Sequence, residues 1–350
     1  MREIFEDLDR WNAESEEIAV ATVVGVRGST PKPAGARFGI TRSGRMTGSV
    51  SAGCVEGDVY ERAVGVLDNG DSVVATYRVT SAPELEVGLA CGGAIDVLIE
   101  RFSEDPAWQF VRDAVTAEQP VVFAVALGPD RLLGNRLAVT ADGCVGSIDA
   151  AIDPALVEDA RRLLGAGEAT VGEYPCDGES ASVFIEPLSP REHLVIVGAT
   201  DTAVALSRMA KVMGFHVTVL DARPAFASRE RFVDADVVRC PETAERMLED
   251  IALDGRCHVV TLTHDPRFDI PTLTAALGGD VAYVGALGSR KTHEKRLDML
   301  RAEGVADTDL GRIHSPVGLD IGGRRAEDIA LSILAEIQAA RHGKDPRGEN

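Results

Sequence analysis

The sequence predicts an α/β protein that begins with an α+β region and ends in a doubly wound parallel sheet. From residue 193 onward, short β-branched runs alternate with amphipathic helical segments, which is the pattern of βαβ units. Before residue 186 the strand-like runs are separated by turns rich in Gly and Ser. The intervening segment 186–192 (EPLSPRE) has two prolines and no periodicity. We therefore predict two domains, at 1–188 and 193–345.

Composition narrows the class of protein. The 350 residues include 56 acidic and 36 basic side chains, which gives a net charge of −20 and disfavours binding to nucleic acid or to anionic membranes. No apolar run approaches the roughly 20 residues of a membrane helix, and the acidic N-terminus does not resemble a secretory signal. We expect a cytoplasmic protein. The cysteines lack CxxC or zinc-ligand spacing and are expected to be free thiols.

The first region is predicted to mix short helices and strands. Residues 43–53 carry too much Gly and Ser to predict a regular element, and no internal repeat is visible. The predicted helices are 3–13, 55–67, 106–117 and 154–164, and the predicted strands are 19–26, 38–41, 72–79, 95–99, 121–127, 137–140, 144–148, 169–174 and 181–185.

The second region is predicted to form a Rossmann-like sheet covered by helices. Its predicted strands are 193–198, 216–222, 258–265 and 281–288, and its predicted helices are 203–213, 243–252, 270–277, 289–303 and 326–341. Ligands of such sheets bind beyond the carboxyl ends of the strands. The polar residues that follow these strands are therefore candidates for a binding site.

The segment VIVGATDTA is the first such candidate. Gly198 ends a strand and opens a helix, so backbone N–H groups and the helix dipole would face a pyrophosphate there. Asp221 ends the next strand and is suitably placed for a ribose hydroxyl. Thr200 occupies the position of the usual second glycine, which weakens the prediction of dinucleotide binding. The alternative is that the turn is only structural.

The segment THDPRFD follows a later strand. His264 could exchange a proton near neutral pH, and Asp265 would border the same crevice as Gly198. The alternative is that Asp265 caps a helix and His264 is merely hydrogen-bonded.

A third candidate is GALGSRKTHEKR. Here Ser289, Arg290 and Lys291 would begin a helix, and cations beside a helix N-terminus make a good anion site. The alternative is a solvated face, because acidic residues follow closely.

The N-terminal region contains two unusual cysteine turns. The stretch GSVSAGCVEGDV presents Cys54 and Glu56 at the start of a predicted helix, where the dipole stabilises a thiolate. The stretch GLACGGA presents Cys91 in a similar turn. Thiolate is a soft ligand suited to soft metals and to sulfur chemistry. The alternative is that both are inert cysteines, and nearby carboxylates oppose thiolate formation.

Upstream of these turns lies RGSTPKPAGARF. Its prolines and small residues predict a rigid loop between two strands. With Arg27, Lys32 and Arg37 the loop would be basic, which suits an anionic ligand.

Together these segments resemble the XdhC/CoxI family of accessory proteins, which mature molybdenum hydroxylases such as xanthine dehydrogenase. The resemblance spans about residues 18–341 and rests on several unusual loops in the family's order. Its C-terminal part rests on GALGSRKTHEKRL and SPVGLDIGGRRAEDIALSILAEI. One departure lies in SVSAGC, where Ala52 stands at a position that is more often glycine in the family.

The resemblance implies a chaperone that binds the molybdenum cofactor, holds it while a sulfido ligand is installed, and delivers it to a hydroxylase. The partners would be the client hydroxylase and a sulfurating enzyme, and a homodimer is a further expectation. Cys54 and Cys91 would lie near the molybdenum. The residues expected to bind cofactor are Arg27, Ser29, Lys32, Arg37, Gly53, Cys54, Glu56, Cys91, Gly92, Gly93, Gly198, Thr200, Asp221, His264, Asp265, Ser289, Arg290 and Lys291.

Two other functions compete with this one. An NAD(P)-dependent oxidoreductase would use Asp221 for the ribose and His264 as acid or base, with Cys54 or Cys91 near the substrate. A nucleotide-sensing regulator without catalytic activity would use the glycine turns only as structure. Thr200 weighs against the oxidoreductase.

Overall fold

The structure is a computed structural model that describes residues 1–78, 92–165 and 168–344. The chain divides into two compact units, residues 1–190 and 191–350. Cys91, one of the two predicted metal-proximal cysteines, lies outside the described residues. Within the described part of the chain, no helix has the length and apolar character needed to cross a bilayer.

The first half of the N-terminal unit is a five-stranded antiparallel sheet with two helices. The strand order in the sheet is β3-β2-β1-β5-β4. Helix α2 packs on it through Val59, Ala63 and Leu67, which are buried on one face of the helix. In chain order the elements are α1 (Arg2–Ala13), β1 (Ile18–Arg27), β2 (Arg37–Thr41), β3 (Met46–Gly48), α2 (Glu56–Asn69), β4 (Val73–Arg78) and β5 (Ala94–Arg101).

The second half of this unit contains the same elements in the same order. Its sheet has the order β8-β7-β6-β10-β9 and is also antiparallel. Its elements are α3 (Pro106–Thr116), β6 (Val121–Gly128), β7 (Arg136–Val139), β8 (Cys144–Ser147), α4 (Asp153–Leu163), β9 (Thr170–Cys176) and β10 (Glu179–Leu188). The unit is thus a structural repeat, and the expectation of no internal repeat is wrong.

Equivalent positions of the two halves carry equivalent residues. Gly48 and Gly146 both have positive φ, +73° and +92°. A Cβ on Gly48 would lie 2.2 Å from the carbonyl oxygen of Arg37, and one on Gly146 would lie 2.3 Å from that of Arg136. Both glycines are therefore required by the close approach of the third strand to the second.

Two buried ion pairs join the halves reciprocally. Arg37 of the first sheet pairs with Glu186 of the second, with two nitrogen–oxygen distances of 3.0 and 2.5 Å. Arg136 of the second sheet pairs with Glu100 of the first at 2.7 Å. Each arginine is the first residue of the second strand of its half, and each glutamate lies in the last strand of the other. The halves therefore pack as a pseudo-symmetric pair.

The C-terminal unit is a six-stranded parallel sheet with the order β13-β12-β11-β14-β15-β16, as in a Rossmann fold. The predicted fold class is confirmed. The elements are β11 (His193–Val197), α5 (Asp201–Val212), β12 (His216–Leu220), β13 (Val237–Arg239), β14 (Cys257–Thr261), α6 (Pro266–Gly278), β15 (Tyr283–Ala286), α7 (Arg290–Ala302), α8 (Asp307–Leu310), β16 (Ile313–His314) and α9 (Ala326–Arg341).

The predicted helix 243–252 is wrong. Only a 3-10 turn forms, at Ala244–Arg246, and Asp250 adopts a left-handed conformation with φ +62°. The apolar residues of this stretch are buried without a helix, because Met247 and Leu248 both lie in the core of the sheet. A short helix without a side-chain cap is easily overridden by such packing.

Four short elements differ from the sequence prediction. The stretch 43–53, expected to be irregular, contains β3, which pairs with β2 as an edge strand. Strands β13 and β16 and helix α8 were not predicted. They have two to four residues each, which is too short for a periodic signal.

Candidate functional site

The loop before α2 is organised by Glu56. Its carboxylate accepts hydrogen bonds from the hydroxyls of Ser49 and Ser51 and from the backbone N–H groups of Ser51, Gly53 and Val55. Burial acts to raise the pKa of Glu56, but these hydrogen bonds outweigh it and lower the pKa to about 2. Glu56, predicted to bind cofactor, therefore uses its hydrogen-bond acceptor sites to hold the loop.

The same loop contains the departure at Ala52. Ala52 is in the left-handed region with φ +56°, and Gly53 follows with φ +104°. Left-handed backbone favours glycine, so the alanine carries a conformational cost there. A glycine at position 52, as the resemblance implies for the family, would suit this geometry.

Cys54 lies two residues before α2 begins. It is half-buried, a free thiol, and packs against the core of the first sheet. The carboxylates expected to oppose a thiolate are engaged elsewhere: Glu56 holds the loop, and Asp58 accepts from the Tyr77 hydroxyl at 2.6 Å and pairs with Arg62. The thiol is thus placed at the rim of the first sheet without a carboxylate devoted to it.

The predicted basic loop is less basic than expected. The prediction that Arg37 belongs to it is wrong, because Arg37 is 2% exposed and pairs with Glu186. Arg27 is exposed and donates to both carboxylate oxygens of Asp96, at 2.6 and 3.0 Å. Lys32 is half-buried, so the cations that remain at the surface of this loop are Lys32 and the Asp96-paired Arg27.

The loop after β1 touches the glycine turn before β5. A Cβ on Gly93 would lie 2.3 Å from the carbonyl oxygen of Ser29 and 2.6 Å from that of Arg27, and one on Gly28 would lie 3.4 Å from the Cα of Gly93. Gly92 adopts φ +87°. Two segments predicted to bind cofactor are therefore in backbone contact.

These segments share one end of the first sheet with α2. Arg27 and Arg78 both pair with Ala94, which follows the glycine turn. Tyr77, next to Arg78, bonds Asp58 in the first turn of α2. The structure therefore gathers the loop after β1, the turn at Gly92 and the α2 entrance at one end of the sheet.

The second half of the unit has a much shorter connection at the equivalent place. Its two-residue turn Asp177–Gly178 joins β9 to β10, whereas fifteen residues, 79–93, join the equivalent β4 and β5. Sequence reasoning missed this internal comparison, because it did not find the repeat.

The helix entrance of the second half also differs from that of the first. Before α4, Asp153 accepts from Ser147 and from the N–H groups of Ile148 and Asp149, as Glu56 does before α2. The loop between β8 and α4 has five residues, against seven between β3 and α2, and it carries no cysteine. The carboxylate is thus common to both halves, and the thiol is not.

A second candidate site lies in the C-terminal unit. A cleft of about 640 Å³ opens at the carboxyl ends of β11, β12 and β14, where the strand order reverses. Five predicted residues lie together in its lining: Gly198, Thr200, Asp221, His264 and Asp265. Ser289, Arg290 and Lys291 do not line it. Ser289 caps α7 by accepting from the Thr292 N–H, and the two cations are exposed on that helix.

The turn at Gly198 is tightly specified. Gly198 has φ +105°, and a Cβ there would lie 2.8 Å from Thr263 Cγ2 and 3.0 Å from the backbone of Leu262. The Thr200 hydroxyl accepts from the Ala203 N–H and so caps α5. The threonine side chain stands where a glycine would let a pyrophosphate approach the backbone.

Asp221 is buried beneath this turn. It accepts from the Ala199 N–H at 2.8 Å and from the Arg223 guanidinium at 2.9 and 2.7 Å. Burial acts to raise the pKa of Asp221, but the bonds from Arg223 and Ala199 lower it below its ordinary value. The carboxylate predicted to bind a ribose thus braces the turn and orients Arg223 at the mouth of the cleft.

On the opposite side, Asp265 caps α6 and pairs with Arg267, while His264 is exposed. The hydrogen bonds from Arg267 lower the pKa of Asp265. Sequence reasoning missed Arg223 and Arg267, the cations that line this cleft among its described residues. One pattern in the sequence could have identified them: each arginine lies two positions after the aspartate predicted to end a strand.

A buried ion pair is hydrogen-bonded to the lining of the cleft through Thr263. Arg296 donates to the carbonyl of Leu287 at 2.7 Å and pairs with Asp269 at 3.2 Å. Asp269 also accepts from the Thr263 hydroxyl, and burial raises its pKa. The sequence offered one signal for Arg296, which lies one turn before the buried Leu300 on the same face of α7. The pair joins the GALGS loop to the end of β14.

The comparisons with known proteins agree with this fold. Residues 194–337 match the family model described as the XdhC Rossmann domain, and residues 11–78 match the model of the XdhC and CoxI family. The chain belongs to the XdhC and CoxI family.

Three relatives illustrate the likeness. A protein from Bacillus subtilis named as a probable xanthine dehydrogenase subunit is 28% identical, over 95% of this chain and 96% of the relative. The molybdenum cofactor insertion chaperone PaoD from Escherichia coli is 27% identical, over 92% and 83%. The crystal structure of a protein described as a xanthine dehydrogenase from Bacillus halodurans has a TM-score of 0.76 at 24% identity, covering 97% of this chain and 96% of that one. This last likeness concerns the fold.

Proposed function

We propose that this chain is a chaperone that binds the molybdenum cofactor and delivers it, after sulfuration, to a xanthine dehydrogenase-type hydroxylase. Two relatives support this: one is named as a molybdenum cofactor insertion chaperone and another as a probable xanthine dehydrogenase subunit. The cofactor would be cargo, held and released without turnover. We place this activity in the cytoplasm, where the client would be assembled.

The internal repeat carries the proposal. Residues that both halves share, such as Glu56 with Asp153, serve the fold. Cys54 and the long connection that ends in Gly92 and Gly93 occur in the first half and have no counterpart in the second. Features that the fold does not demand, gathered at one end of one sheet, are best explained by a ligand.

The residues at this end fit the cargo chemically. The cofactor is a pterin with a dithiolene-bound metal and a phosphate. The glycine-rich backbone around Gly28 and Gly92 admits close approach of a ligand, and Arg27 and Lys32 supply cations. The Cys54 thiol is a soft group suited to the vicinity of molybdenum. Cys91 would join it in the same role.

The cleft of the C-terminal unit is proposed to hold the phosphate or nucleotide end of the cofactor, or a separate NAD(P). Two arginines, Arg223 and Arg267, and the N-termini of α5 and α6 favour an anionic group there. An NAD(P)-dependent oxidoreductase is a weaker candidate. Thr200 caps a helix in place of the second glycine, and Asp221 is already bonded to the turn.

The partners proposed are the client hydroxylase and a sulfurating enzyme. The homodimer expected of a protein that hands on a cofactor stays a prediction, which light scattering of the purified chain would check.

The test is cofactor retention. The purified chain is mixed with molybdenum cofactor released from a donor enzyme, passed through a gel-filtration column, and assayed for co-eluting molybdenum and pterin. We expect stoichiometric retention by the natural sequence and a loss of at least about tenfold in Cys54→Ala. Cys144→Ala is the matched control, because Cys144 is an exposed free thiol on the third strand of the second half.

Two results would count against the proposal. If the natural chain retains no cofactor but binds and turns over NAD(P)H, the oxidoreductase function replaces it. If Cys54→Ala and Cys144→Ala retain equally, the cargo does not depend on Cys54.

A further inference from the structure

A second cleft lies between the two sheets of the N-terminal unit. It measures about 530 Å³, within the range of small-molecule sites. Each sheet contributes a β-bulge to it: the extra residue is Val24 in β1 and Leu127 in β6. The described residues of its lining include Gly25, Val74 and Asp96 from the first sheet and Val171 and Ser182 from the second.

The walls of this cleft are apolar and exposed. Val74 of the first sheet and Val171 of the second have 37% and 42% of their surface accessible, although each lies in a strand. Large apolar side chains that line a cleft and remain exposed to solvent indicate a binding surface. Valines from both sheets suit the two faces of a flat ring.

The polar group of the cleft is Asp96. Its carboxylate is braced by Arg27 and by the Thr76 hydroxyl at 2.7 Å, and its side chain remains 22% exposed. A Cβ on Gly25 would lie 2.7 Å from Asp96 Oδ2, so the bulge glycine makes room for this oxygen. The carboxylate therefore has a fixed orientation.

Asp96 retains capacity to bind. A carboxylate offers about four acceptor sites, and the described donors are two nitrogens of Arg27 and one hydroxyl. Burial acts to raise the pKa of Asp96, but the bonds from Arg27 and Thr76 outweigh it, and the net shift is downward. Asp96 is therefore an anionic acceptor at neutral pH.

The two halves place their carboxylates differently at this point. Asp96 lies opposite Gly25, immediately after the bulge, and in the second half Ser182 lies opposite Gly128 at the equivalent point. The two halves form the same bulge with different side chains. In the second half the acid of the matching cross-strand pair is Glu173, which accepts from the Ser182 hydroxyl and does not line the cleft. The first half differs in placing its acid, Asp96, in the cleft.

We propose that this cleft binds a flat 2-amino-4-oxopyrimidine ring between the valines, with the remaining acceptor site of Asp96, on Oδ2, accepting one hydrogen bond from the 2-amino group. Carboxylates read amino groups of heterocycles in this way, and apolar side chains sandwich the faces of such rings. The ring is common to pterin and guanine. Its assignment to the pterin of the molybdenum cofactor rests on the proposed function.

The test is calorimetric titration with free pterin, with lumazine, and with guanosine. Lumazine has a carbonyl in place of the 2-amino group, so it lacks one donor to Asp96. We expect the natural chain to bind pterin at least about tenfold more tightly than lumazine, and Asp96→Asn to lose at least about tenfold for pterin with little change for lumazine. Binding of guanosine as tightly as pterin would support the ring chemistry and assign it to a guanine nucleotide.

A second variant protects the test against a folding defect in Asp96→Asn. Val171→Trp would fill the cleft from the opposite wall and abolish pterin binding while leaving Asp96 in place. Val212→Trp is the control, because Val212 is 88% exposed on α5 of the other unit. Equal thermal midpoints of the variants establish that folding is intact.

The inference fails if pterin and lumazine bind equally, if Asp96→Asn binds pterin normally, or if the natural chain binds none of the three compounds. A client hydroxylase that protects Val171 from exchange while pterin does not bind would assign the valines to protein docking instead. Cofactor retention that persists in Asp96→Asn would sink this inference and leave the proposed function standing. Asp96-dependent pterin binding without cofactor retention would do the reverse.

Discussion

Glu56 connects a loop and a helix through a single side chain. Its carboxylate lies in the first turn of α2 yet binds N–H groups of the three preceding loop positions Ser51, Gly53 and Val55. Asp153, the first residue of α4, repeats the arrangement with a shorter side chain. Both anions also lie where the helix dipole favours negative charge. In both halves, a carboxylate at this position therefore holds the loop that connects the third strand to the following helix.

The first residue-scale prediction concerns pH. Because the pKa of Glu56 falls from 4.5 to about 2 on folding, its contribution to stability is present above pH 4.5 and is lost as the pH falls toward 2. Allowing for its partial exposure, we expect this contribution to be about 1–2 kcal/mol. Glu56→Gln should lower the free energy of unfolding by that amount at pH 7, measured by urea titration.

The same titration at pH 3 provides the control. There the natural chain has lost part of the contribution, so the difference between it and Glu56→Gln should shrink. A difference that is constant from pH 7 to pH 3 would contradict the assignment. Glu61→Gln, on the exposed face of α2, should show little difference at either pH.

At the scale of elements, the turn from β11 into α5 depends on both the conformation and the space at Gly198. We predict that Gly198→Ala lowers the free energy of unfolding by at least about 1 kcal/mol more than Gly214→Ala, measured by thermal and urea unfolding. Gly214 also has positive φ, +83°, but a Cβ there would meet nothing within 4 Å. Equal effects would show that the contact with the segment after β14 is unimportant.

The long elements were predictable because periodicity is a local property. Helix α9 was predicted at 326–341, the bounds it has in the structure. The failure at 243–252 has a tertiary cause, since Met247 and Leu248 reach the core from a turn rather than from a helix face. Strand β13 has three residues and exists through pairing with β12, which no local pattern announces.

At the scale of the whole molecule, the two halves of the N-terminal unit exchange buried charges. Removing one partner of such a pair leaves the other charged and buried without a counter-ion, which lowers the free energy of unfolding by about 3–5 kcal/mol. We predict that Arg37→Met lowers the free energy of unfolding by this amount, and that the double variant Arg37→Met with Glu186→Met recovers most of it. Chemical denaturation of the purified variants measures both.

Arg62→Met is the matched control, because Arg62 pairs with Asp58 at the surface and such pairs contribute about 1 kcal/mol or less. If Arg37→Met is no worse than this control, the reciprocal pairs do not hold the halves together.

These pairs also explain which part of the candidate site could be predicted. The sequence identified the cysteine loop, the basic loop and the glycine turn as unusual, and the structure gathers their described parts at one end of a sheet. It could not separate Arg27 from Arg37, because the partner of Arg37 lies 149 positions away in the chain. Asp96 was hidden for the same reason, since its partners Arg27 and Thr76 lie 69 and 20 positions away in the chain.

The contact between Gly28 and Gly93 has a consequence for how such a chain can diverge. A side chain at Gly93 would meet the backbone carbonyls of Arg27 and Ser29, which no substitution elsewhere can shorten or remove. A substitution in the other loop therefore cannot compensate for a side chain at Gly93. A mutation there must displace an entire loop, or selection removes it. Selection acting on the proposed cargo site would thus be exerted partly through two residues that have no side chain with which to touch a ligand.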